Sequence, residues 1–470
     1  MRIVMKFGGT SLGTDRAFRN ALTLINEYSR ANQVVVVASA FNGVTNDIIE
    51  AANRASQRDR NHVAESVNQL RARHESMCKE ILTGKDALRQ TLTCLDSELR
   101  QLDKALKGVR YLGELTPRSK DYILSFGERL STLILASALH DLGIPAQRFT
   151  GSEAGIVTDA SFGEATPLMD ITKRQVREKL DPVLKKGTVP VVTGFIAATE
   201  DGVPTTLGRG ASDYTATIIG VALEADEVWI WTDVDGLMTA DPKIEPAAKT
   251  IAELSFMEAM EMSHFAAKAM HPRALEPAAE VGLPVRVKNS FNPNGPSTVI
   301  LQEQRVKSGN VVKAVTSVRE ASMITISGAG MYGAPGTAAK VFHTLGENGI
   351  NVLMISASAS EASISVIIAR SNLERAVTAL KQSLLGSSLF KDVTAESDVS
   401  VVAAVGADMK GTPGIAARVF RAVADRGVNV RMIAQGSSEL NISFVVRQDD
   451  VLKSVQALHE EFQLDGKVVH

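Results

Sequence analysis

The C-terminal part of the chain contains two closely similar segments, and this internal repeat constrains the fold more than any other sequence feature. "GAGMYGAPGTAAKVF", which begins at Gly328, returns as "GADMKGTPGIAARVF", which begins at Gly406. The copies align without a gap, because matching residues such as Asn351 and Asn429 are always 78 positions apart. Repetition at a fixed period indicates two copies of one structural unit. We predict that each copy runs strand, glycine turn, helix, strand and strand.

The first copy also contains a pattern that is typical of NAD-binding proteins. Gly328, Gly330 and Gly333 form G-x-G-x-x-G after a predicted strand and before a predicted helix. The next strand lacks the acidic residue that binds the ribose in such proteins. The second copy has Asp408 in place of the middle glycine. We therefore interpret these glycines as turn residues, available to a small ligand or a neighbouring chain, and not as an NAD site.

The N-terminal part of the chain is typical of an α/β protein. Short apolar runs such as "RIVMKF", "VVVVASA", "VPVVTGF", "EVWIWTD" and "LPVRVKN" alternate with helical segments. Nearly continuous apolar runs predict strands that are buried on both faces, as in parallel sheets covered by helices. The predicted division is an α/β domain over residues 1–305, with a helical insertion at about 47–115. The two copies of the repeat would then occupy residues 322–393 and 398–470.

Composition excludes several other classes of protein. The 470 residues are 44% hydrophobic and 22% charged, with a formal net charge of −2. Nucleic-acid-binding proteins usually carry a basic surface, so nucleic acid is not an expected partner. The apolar runs are shorter than the ~20 residues that span a bilayer, so we predict a cytoplasmic protein without membrane contact. Cys78 and Cys94 are predicted to be free thiols.

The segment "MKFGGTSLG" has the features of an anion-binding loop. Gly8 and Gly9 follow a strand and would let backbone N–H groups approach a phosphate, and Thr10 and Ser11 could donate further hydrogen bonds. The lysine, Lys6, precedes the glycines, whereas the P-loop of nucleotide-binding proteins has its lysine at the end. Lys6 could reach over the loop towards the anion. The alternative is a simple glycine turn with a lysine on the surface.

Two further segments contain candidate substrate ligands. In "LGRGASDYTA", Arg209 could bind a carboxylate with two parallel hydrogen bonds, and Ser212 or Asp213 could cap the following helix. The alternative is an ion pair between Arg209 and Asp213. In "SFGERLS", Glu128 lies at a predicted helix start, where it could either bind an ammonium group or cap the helix.

"WTDVDGLMTADPK" places three carboxylates in a loop after a strand. Asp233, Asp235 and Asp241 could position Mg²⁺ or bind a ribose. Asp-Gly and Asp-Pro are also ordinary turn sequences, and we favour that turn role for Asp235 and Asp241. In "FAAKAMHPR", the apolar neighbours of Lys268 favour a lysine that points into a site, although a surface position is the alternative. His264 and His271 have no metal-ligand partners nearby and are predicted to be structural.

Together, these motifs and their order resemble the aspartokinase family, within the amino acid kinases, over essentially the whole chain. The resemblance is greatest to single-function aspartokinases of the archaeal type. It implies a three-layer αβα sandwich with a mostly parallel, eight-stranded central sheet, followed by two α+β regulatory domains of the ACT type. It also implies that "VVKAVTSV", residues 311–318, forms a strand of the second ACT domain.

The activity implied is phosphorylation of the side-chain carboxylate of L-aspartate by Mg-ATP, which gives 4-phospho-L-aspartate. This is the first step towards lysine, threonine and methionine. The nucleophile and the phosphate are both anions, which repel each other by ~4 kcal/mol at 4 Å in an effective dielectric of about 20. Such a site therefore needs cations and precise positioning more than a general base.

The resemblance also implies a role for each candidate residue. The catalytic residues would be Lys6, Asp213 and Lys268. The aspartate ligands would be Ser39, Thr45, Glu128 and Arg209. The ATP contacts would be Lys6, Gly8, Gly9, Thr10, Ser11, Thr232, Asp233, Met238, Lys243 and Lys268. Mg²⁺ would be held mainly by the phosphates and water, with no direct protein ligand.

Feedback regulation is implied by the ACT repeats. The effector, threonine or lysine, would contact Asn351, Asn429, Gln435, Ser437 and Glu439. Ala357 stands where the second copy has Gln435, which puts the first site in doubt. ACT domains generally pair, so the implied assembly is a homodimer or a homotetramer.

Three departures and two alternatives complete the prediction. Met238 and Lys243 stand where the family often has an aromatic residue and an arginine, and "AAK" replaces the usual "GAK" before Lys268. With His470 as the last residue, we expect no fused homoserine dehydrogenase. The alternatives are a kinase acting on glutamate or acetylglutamate, and an inactive amino-acid sensor. A sensor is expected to have lost Lys6, Asp213 or Lys268, and this chain has all three.

Overall fold

The computed structural model describes residues 1–208, 210–265, 270–303, 310–358, 362–385 and 389–466. The chain forms two compact units. The first unit contains Met1–Leu237, Ala252–Phe256 and residues 270–303. The second unit contains Met238–Ile251, residues 257–265 and the described residues from 310 onward. The segment 238–251 therefore folds with the second unit, whereas the sequence boundary at residue 305 puts it in the first.

The first unit is built on a mostly parallel sheet of eight strands, as predicted. Its strands, with those of a small second sheet, are β1 Arg2–Phe7, β2 Gln33–Ala38, β3 Ala146–Phe149, β4 Val157–Thr158, β5 Val189–Thr193, β6 Ile196–Thr199, β7 Pro204–Thr206, β8 Glu227–Thr232, β9 Glu253–Ser255, β10 Val285–Asn289 and β11 Thr298–Leu301. The order in the large sheet is β3-β5-β2-β1-β8-β10-β11-β9, and its one antiparallel pair is β10 with β11. β4, β6 and β7 form the small sheet.

Helices cover this sheet because its central strands are apolar on both faces. The helices as far as residue 281 are α1 Gly9–Leu12, α2 Asp15–Ser29, α3 Val44–Ser56, α4 Arg60–Ile81, α5 Lys85–Leu112, α6 Pro117–Leu124, α7 Phe126–Asp141, α8 Met169–Lys185, α9 Ala211–Ala222, α10 Phe256–Phe265 and α11 Glu276–Val281. Ile3, Met5 and Phe7 of β1 pack into one core with α2, α7 and the helices α3–α5. On the opposite face, Gly220 lets α9 approach β8, since a Cβ there would lie 2.6 Å from a Val228 methyl group.

The helical insertion corresponds to α3–α5, which are long and polar outside and apolar inside. Cys78 on α4 is buried and Cys94 on α5 is exposed, and both are free thiols, as predicted. The segment Pro117–Asp141, which spans α6 and α7, is long and apolar enough to cross a membrane. Within the fold, however, 83% of its most apolar window is buried, as in the core helix of a globular protein.

The second unit contains the two copies of the repeat in one antiparallel sheet. Its elements are β12 Ala314–Ser327, α12 Thr337–Glu347, β13 Val352–Ala357, β14 Ser363–Ala369, α13 Leu373–Leu384, β15 Asp392–Val405, α14 Ile415–Asp425, β16 Met432–Ala434, β17 Asn441–Arg447 and α15 Val451–Glu461. The strand order is β13-β14-β12-β15-β17-β16. Corresponding elements start 78 residues apart in most cases, as the repeat predicts.

The two long strands β12 and β15 join the copies. Ala314–Val318 pairs with Val401–Val405, and Ser327 at the other end of β12 pairs with Asp392. Each long strand therefore supplies its second half to its own copy and its first half to the other copy. The predicted strand at residues 311–318 begins at Ala314 in the structure and pairs with the second copy.

Each copy ends in a helix, α13 or α15, that the sequence pattern of strands and turns did not include. On α13, Ala376, Leu380 and Leu384 are buried at helical spacing and pack into the core of the first copy. This period was available in the sequence as a signal. The amphipathic helix covers the face of a sheet that would otherwise be open to water.

Two buried polar contacts attach other segments to the second unit. Glu258 on α10 is fully buried, and its carboxylate lies 3.2 Å from Lys313 Nζ and accepts a 2.7 Å hydrogen bond from Ala407 N–H. Thr239 Oγ1 lies 3.0 Å from His459 Nε2 of α15, and both residues are buried. Ala240 and Ile244 join the core of the second copy, which explains why 238–251 folds with this unit.

Candidate active site

An open cleft of about 1230 Å³ lies in the first unit, among residues that follow several strands of the large sheet. Residues of three of the predicted motifs line it: Lys6 of β1, Glu128 of α7 and Asp213 of α9. Ser39 and Thr45 line the same cleft, from the segment between β2 and α3. The ends of neighbouring parallel strands meet at one edge of a sheet, so distant parts of the sequence converge there.

Lys6 and Asp213 form an ion pair inside this cleft. Lys6 Nζ lies 2.7 Å from Asp213 Oδ1, and the two side chains are 12% and 11% exposed. A Cβ on Gly8 would lie 3.3 Å from Lys6 Nζ, so the glycine leaves the ammonium group room beside the loop. The interpretation of Lys6 as a surface lysine is therefore wrong. Its 12% exposure keeps the ammonium accessible from the cleft without leaving it in bulk water.

The glycine loop is short and packs closely on its neighbours. Gly8 precedes the one-turn helix α1, and a Cβ on Gly9 would lie 3.0 Å from the carbonyl oxygen of Ala40. Thr10 is exposed, whereas Ser11 is fully buried. The Ser11 hydroxyl lies 3.2 Å from Ser290 Oγ and 3.4 Å from the carbonyl of Trp231. Ser11 is not among the residues that line the cleft, and its hydroxyl is directed at these two neighbours.

Glu128 is a buried carboxylate with one oxygen free to accept hydrogen bonds. Its Oε1 accepts a 3.2 Å hydrogen bond from Ala40 N–H, and its Oε2 has no hydrogen-bond partner among the described residues. Burial raises the pKa of Glu128 to about 8, against the smaller opposing effect of the bond from Ala40. A buried carboxylate that lacks a cation can ionise readily when a ligand brings one. This favours the ammonium-binding role over the capping role.

A pH dependence follows from this raised pKa. The folded chain binds the Glu128 proton more tightly than the unfolded chain, so its contribution to stability is lost as pH rises from 4.5 towards about 8. If ionised Glu128 binds the substrate ammonium, kcat/KM for aspartate should rise through about pH 8. The kcat profile should rise at lower pH, because the bound ammonium favours the ionised form.

The control for this profile is Glu128→Gln, which retains the size of the side chain and removes the titration. Initial rates from about pH 6 to about pH 9.5 should give a kcat/KM profile that is lower than that of the wild type and flat around pH 8, where burial places the pKa of Glu128. The same rise in both proteins would contradict the assigned role of Glu128.

The comparisons with known proteins agree with this geometry. The sequence model of the amino acid kinase family matches residues 1–289, and that of the ACT domain matches 324–384 and 402–462. Aspartokinase 3, chloroplastic, of Arabidopsis thaliana is 36% identical over 465 residues, which cover 98% of this chain and 81% of that protein. The chain belongs to the aspartokinase family.

Solved aspartokinase structures share the fold over nearly the whole chain. Aspartokinase III of E. coli in complex with aspartate and ADP, in its R-state, has a TM-score of 0.82 at 29% identity, covering 98% of this chain and 100% of that one. The same enzyme with lysine and aspartate, in its T-state, has a TM-score of 0.81 at 30% identity, covering 98% and 99%. Bifunctional aspartokinase/homoserine dehydrogenase 1, chloroplastic, of Zea mays is 34% identical over 469 residues. The chain spans about half the length of such bifunctional relatives, 50% in that case.

One buried carboxylate in the cleft was missed by the sequence analysis. Asp121 on α6 accepts hydrogen bonds from Thr206 N–H at 2.9 Å, Thr206 Oγ1 at 2.8 Å and Gly163 N–H at 2.9 Å. It therefore holds two walls of the cleft together at the residue that ends β7. Burial raises the pKa of Asp121, and the hydrogen bonds from Gly163 and Thr206 oppose this. Asp121 is seven residues before Glu128, a spacing of two helical turns that could have drawn attention to it.

The nucleotide residues predicted from the sequence are divided between the two units. Thr232 ends β8 and Asp233 follows it in the first unit, where Thr232 Oγ1 donates to Asp233 Oδ1 at 3.2 Å. Met238 and Lys243 belong to the segment 238–251 of the second unit, where Lys243 is exposed. Lys268 and Arg209 lie outside the described residues. Asp213, which the alternative interpretation pairs with Arg209, has Lys6 as a partner.

Of the two aspartates assigned to turns, Asp241 bonds within its own turn, whereas Asp235 contacts a distant segment of the chain. Asp235 Oδ1 accepts hydrogen bonds from the side-chain amides of Asn289 and Asn292. Asp241 Oδ1 accepts one from the backbone N–H of Lys243 at 2.9 Å. His271 likewise accepts a backbone hydrogen bond, from Arg273 at 3.3 Å, in agreement with a structural role. The part of the chain that the structure describes contains no group of three metal-ligating side chains.

The predicted effector residues lie in the second unit. Asn351, Asn429, Gln435 and Ser437 are exposed. Glu439 has a positive φ of 56° and accepts a 2.7 Å hydrogen bond from Gly411 N–H, so it fixes the glycine turn of its own copy. A non-glycine residue in this conformation is uncommon, and such residues often lie at functional sites.

Proposed function

We propose that the chain is an aspartate kinase, which transfers the γ-phosphoryl group of ATP to the side-chain carboxylate of L-aspartate to give 4-phospho-L-aspartate. The observation that supports this most strongly is the Lys6–Asp213 ion pair, which shares one cleft with the unpaired oxygen of Glu128. The E. coli enzyme of the same fold binds aspartate and ADP, which supports the same two ligand classes here.

In this reaction the protein contributes mainly charge and position. Lys6 would contact the transferring phosphoryl group, and Asp213 would hold the ammonium of Lys6 in place. The substrate carboxylate is already an anion, so no side chain has to remove a proton from the nucleophile. Positive charge that is fixed before the reaction costs little reorganisation in the transition state.

Aspartate would bind through its α-ammonium group and its α-carboxylate. Glu128 would accept the α-ammonium group with its free oxygen, and Arg209 would bind the α-carboxylate. Ser39 and Thr45 would complete the pocket from the segment between β2 and α3. The side-chain carboxylate of the substrate would then point towards Lys6.

ATP would lie with its phosphates on the glycine loop and Lys268. Gly8 and Gly9 would supply backbone N–H groups and Thr10 a hydroxyl, while Thr232, Asp233, Met238 and Lys243 would contact the nucleoside. Mg²⁺ would neutralise phosphate charge, and would be held by phosphate oxygens and water. The described residues contain no cluster of acidic ligands, and such a site suits a metal ion that arrives bound to the nucleotide.

The test is ADP release by the purified full-length chain with Mg-ATP and a panel of L-aspartate, L-glutamate and N-acetyl-L-glutamate. We expect turnover with aspartate and little with the other two. A preference for glutamate or its acetyl derivative would favour another amino acid kinase. Binding of amino acids without turnover of any of them would favour an inactive sensor.

Feedback inhibition is the second part of the proposal. The ACT matches, and the lysine complex of the E. coli enzyme, support an amino-acid effector at the exposed residues of the second unit. We propose threonine or lysine as the effector and a homodimer or homotetramer as the assembly. Light scattering with and without each amino acid tests the assembly. We also infer a cytoplasmic location, which a fluorescent fusion would test.

Replacing Gln435 with alanine should weaken this inhibition. The change removes a side-chain amide from the second copy, where the first copy already has Ala357. Loss of one or two hydrogen bonds is expected to raise the half-inhibiting concentration about tenfold. Inhibition curves with L-lysine and L-threonine measure this, and Ala357→Ser in the first copy is the matched control. An unchanged curve for the Gln435 variant would contradict its assignment.

A further inference from the structure

The segment 39–45, which we call the substrate loop, lines the cleft and is held on its inner side by several contacts. Ala40 N–H donates to Glu128, and the Ser39 carbonyl accepts a 2.8 Å hydrogen bond from Ser131 Oγ. Gly9 packs against Ala40, since an added Cβ would lie 3.0 Å from its carbonyl oxygen. The loop thus lies beside both the glycine loop and Glu128, so its position affects the places proposed for both substrates.

The outer side of the substrate loop contacts helix α4 of the insertion. Arg73 Nη2 donates a 2.7 Å hydrogen bond to the Asn42 carbonyl. Its other terminal nitrogen, Nη1, lies 3.9 Å from Asp47 Oδ2, in the first turn of α3. One guanidinium therefore fixes the loop and the start of the helix that follows it.

His74, the next residue on α4, supports the loop through its ring. The His74 and Phe41 rings are stacked, with centroids 4.9 Å apart and planes 12° apart. Phe41 in turn meets the edge of Phe18, at 6.1 Å. Both His74 and Phe41 are almost completely buried. The His74 ring therefore covers one face of the Phe41 ring.

The orientation of the His74 ring is fixed by a backbone carbonyl. His74 Nδ1 lies 2.7 Å from the Leu70 carbonyl oxygen, which can only accept, so Nδ1 carries the proton. Nε2 is buried and has no hydrogen-bond partner among the described residues. Burial lowers the pKa of His74 to about 4, so the ring is neutral at physiological pH. Burying a polar atom without a hydrogen-bond partner costs folding free energy. The His74 ring is nevertheless held in a position where it stacks on Phe41 of the substrate loop.

We propose that Arg73 and His74 are positioning residues for the reaction, and that the helical insertion supports the substrate loop through them. This inference rests on the proposed function, since it assumes that the loop binds aspartate. Neither side chain is among the residues that line the cleft, so each acts through the loop. A displacement of about 1 Å in a substrate-positioning element can reduce the rate by up to about 100-fold.

The test compares Arg73→Met, His74→Ala and His74→Phe in the full-length chain. Arg73→Met keeps the aliphatic stem and removes the bond to Asn42, and His74→Ala removes the stack. We expect both to lower kcat/KM for aspartate about tenfold or more, mainly through KM, with a smaller change in KM for ATP. His74→Phe restores a flat ring and should return kcat/KM to within about threefold of the wild type.

Arg71→Met is the matched control. Arg71 lies on the same helix, but it pairs with Asp96 of α5 and not with the substrate loop. It should leave the aspartate KM unchanged. A merely structural role for α4 would lower the thermal midpoint of unfolding in all variants without separating the two KM values.

The outcomes distinguish this inference from the proposed function. A wild type without aspartate-dependent turnover would overturn the proposed function and the inference with it. An active wild type whose aspartate KM survives Arg73→Met would overturn the inference alone. Equal loss in His74→Phe and His74→Ala would overturn the stacking role of His74. If His74→Ala does not fold, Arg73→Met and His74→Phe still decide the matter.

Discussion

Replacing Lys6 with alanine should lower kcat for aspartate-dependent ADP release by about 100-fold or more. The change removes a cation that lies 2.7 Å from Asp213, and leaves that carboxylate facing the place where two anionic substrates would meet. Two negative charges at 4 Å repel by ~4 kcal/mol in an effective dielectric of about 20, which the lost ammonium can no longer offset. Steady-state kinetics with both substrates saturating measure the effect.

The control is Lys173→Ala, which removes a lysine from helix α8, away from the cleft residues. It should retain wild-type turnover. A second check uses Asp213→Asn: because Lys6 and Asp213 act as one unit, the double variant should lose little more than the worse single variant. Near-normal kcat in Lys6→Ala would refute the catalytic role of this side chain.

Replacing Lys313 with methionine should destabilise the second unit by about 3–5 kcal/mol. Lys313 is 5% exposed and its partner Glu258 is 0% exposed, so the variant removes a buried cation that lies 3.2 Å from a buried carboxylate. The hydrogen bond from Ala407 N–H remains, but it cannot replace a full charge. Urea unfolding monitored by circular dichroism should show that the second unit of the variant unfolds at a lower urea concentration than that of the wild type.

The double variant Glu258→Gln with Lys313→Met separates charge burial from packing. It should recover much of the loss, because both members of the buried charge pair are then removed and a neutral amide can still accept the bond from Ala407. The matched control removes the pair Arg418–Glu461, which joins α14 and α15 on the surface and should cost at most about 1 kcal/mol. Equal effects for the buried and exposed pairs would contradict the argument.

The elements that could be predicted from the sequence are those with a clear local pattern. Apolar runs such as "VVVVASA" and "EVWIWTD" gave β2 and β8, because a strand buried on both faces leaves a continuous apolar signal. The repeat predicted that corresponding elements of the second unit lie 78 residues apart. Long amphipathic segments likewise predicted the helices of the insertion.

What could not be predicted depends on contacts between distant segments. Ser11 looks like a phosphate ligand beside its glycines, but it is buried against Ser290, far along the chain. Asp121 looks like an ordinary polar helix residue until β7 brings Thr206 to it. No local pattern indicates that Thr239 contacts His459, or that 238–251 therefore folds with the second unit.

The same division holds within the candidate site. The motifs, together with the family resemblance that they carry, selected Lys6, Glu128 and Asp213, and the structure brings all three to one cleft. The raised pKa of Glu128 was not accessible from the sequence, because it depends on complete burial and on an oxygen without a partner. The supporting contacts of Arg73 and His74 were equally hidden, since they lie in an insertion that the motifs do not include.

The most direct test of the central claim is to trap the product. An acyl phosphate reacts with hydroxylamine, so the full-length chain incubated with Mg-ATP, L-aspartate and hydroxylamine should form the side-chain hydroxamate of aspartate in proportion to the ADP released. The hydroxamate can be identified by mass spectrometry, and Lys6→Ala should form almost none. Release of ADP at the same rate without aspartate, or without any aspartyl hydroxamate, would contradict the account.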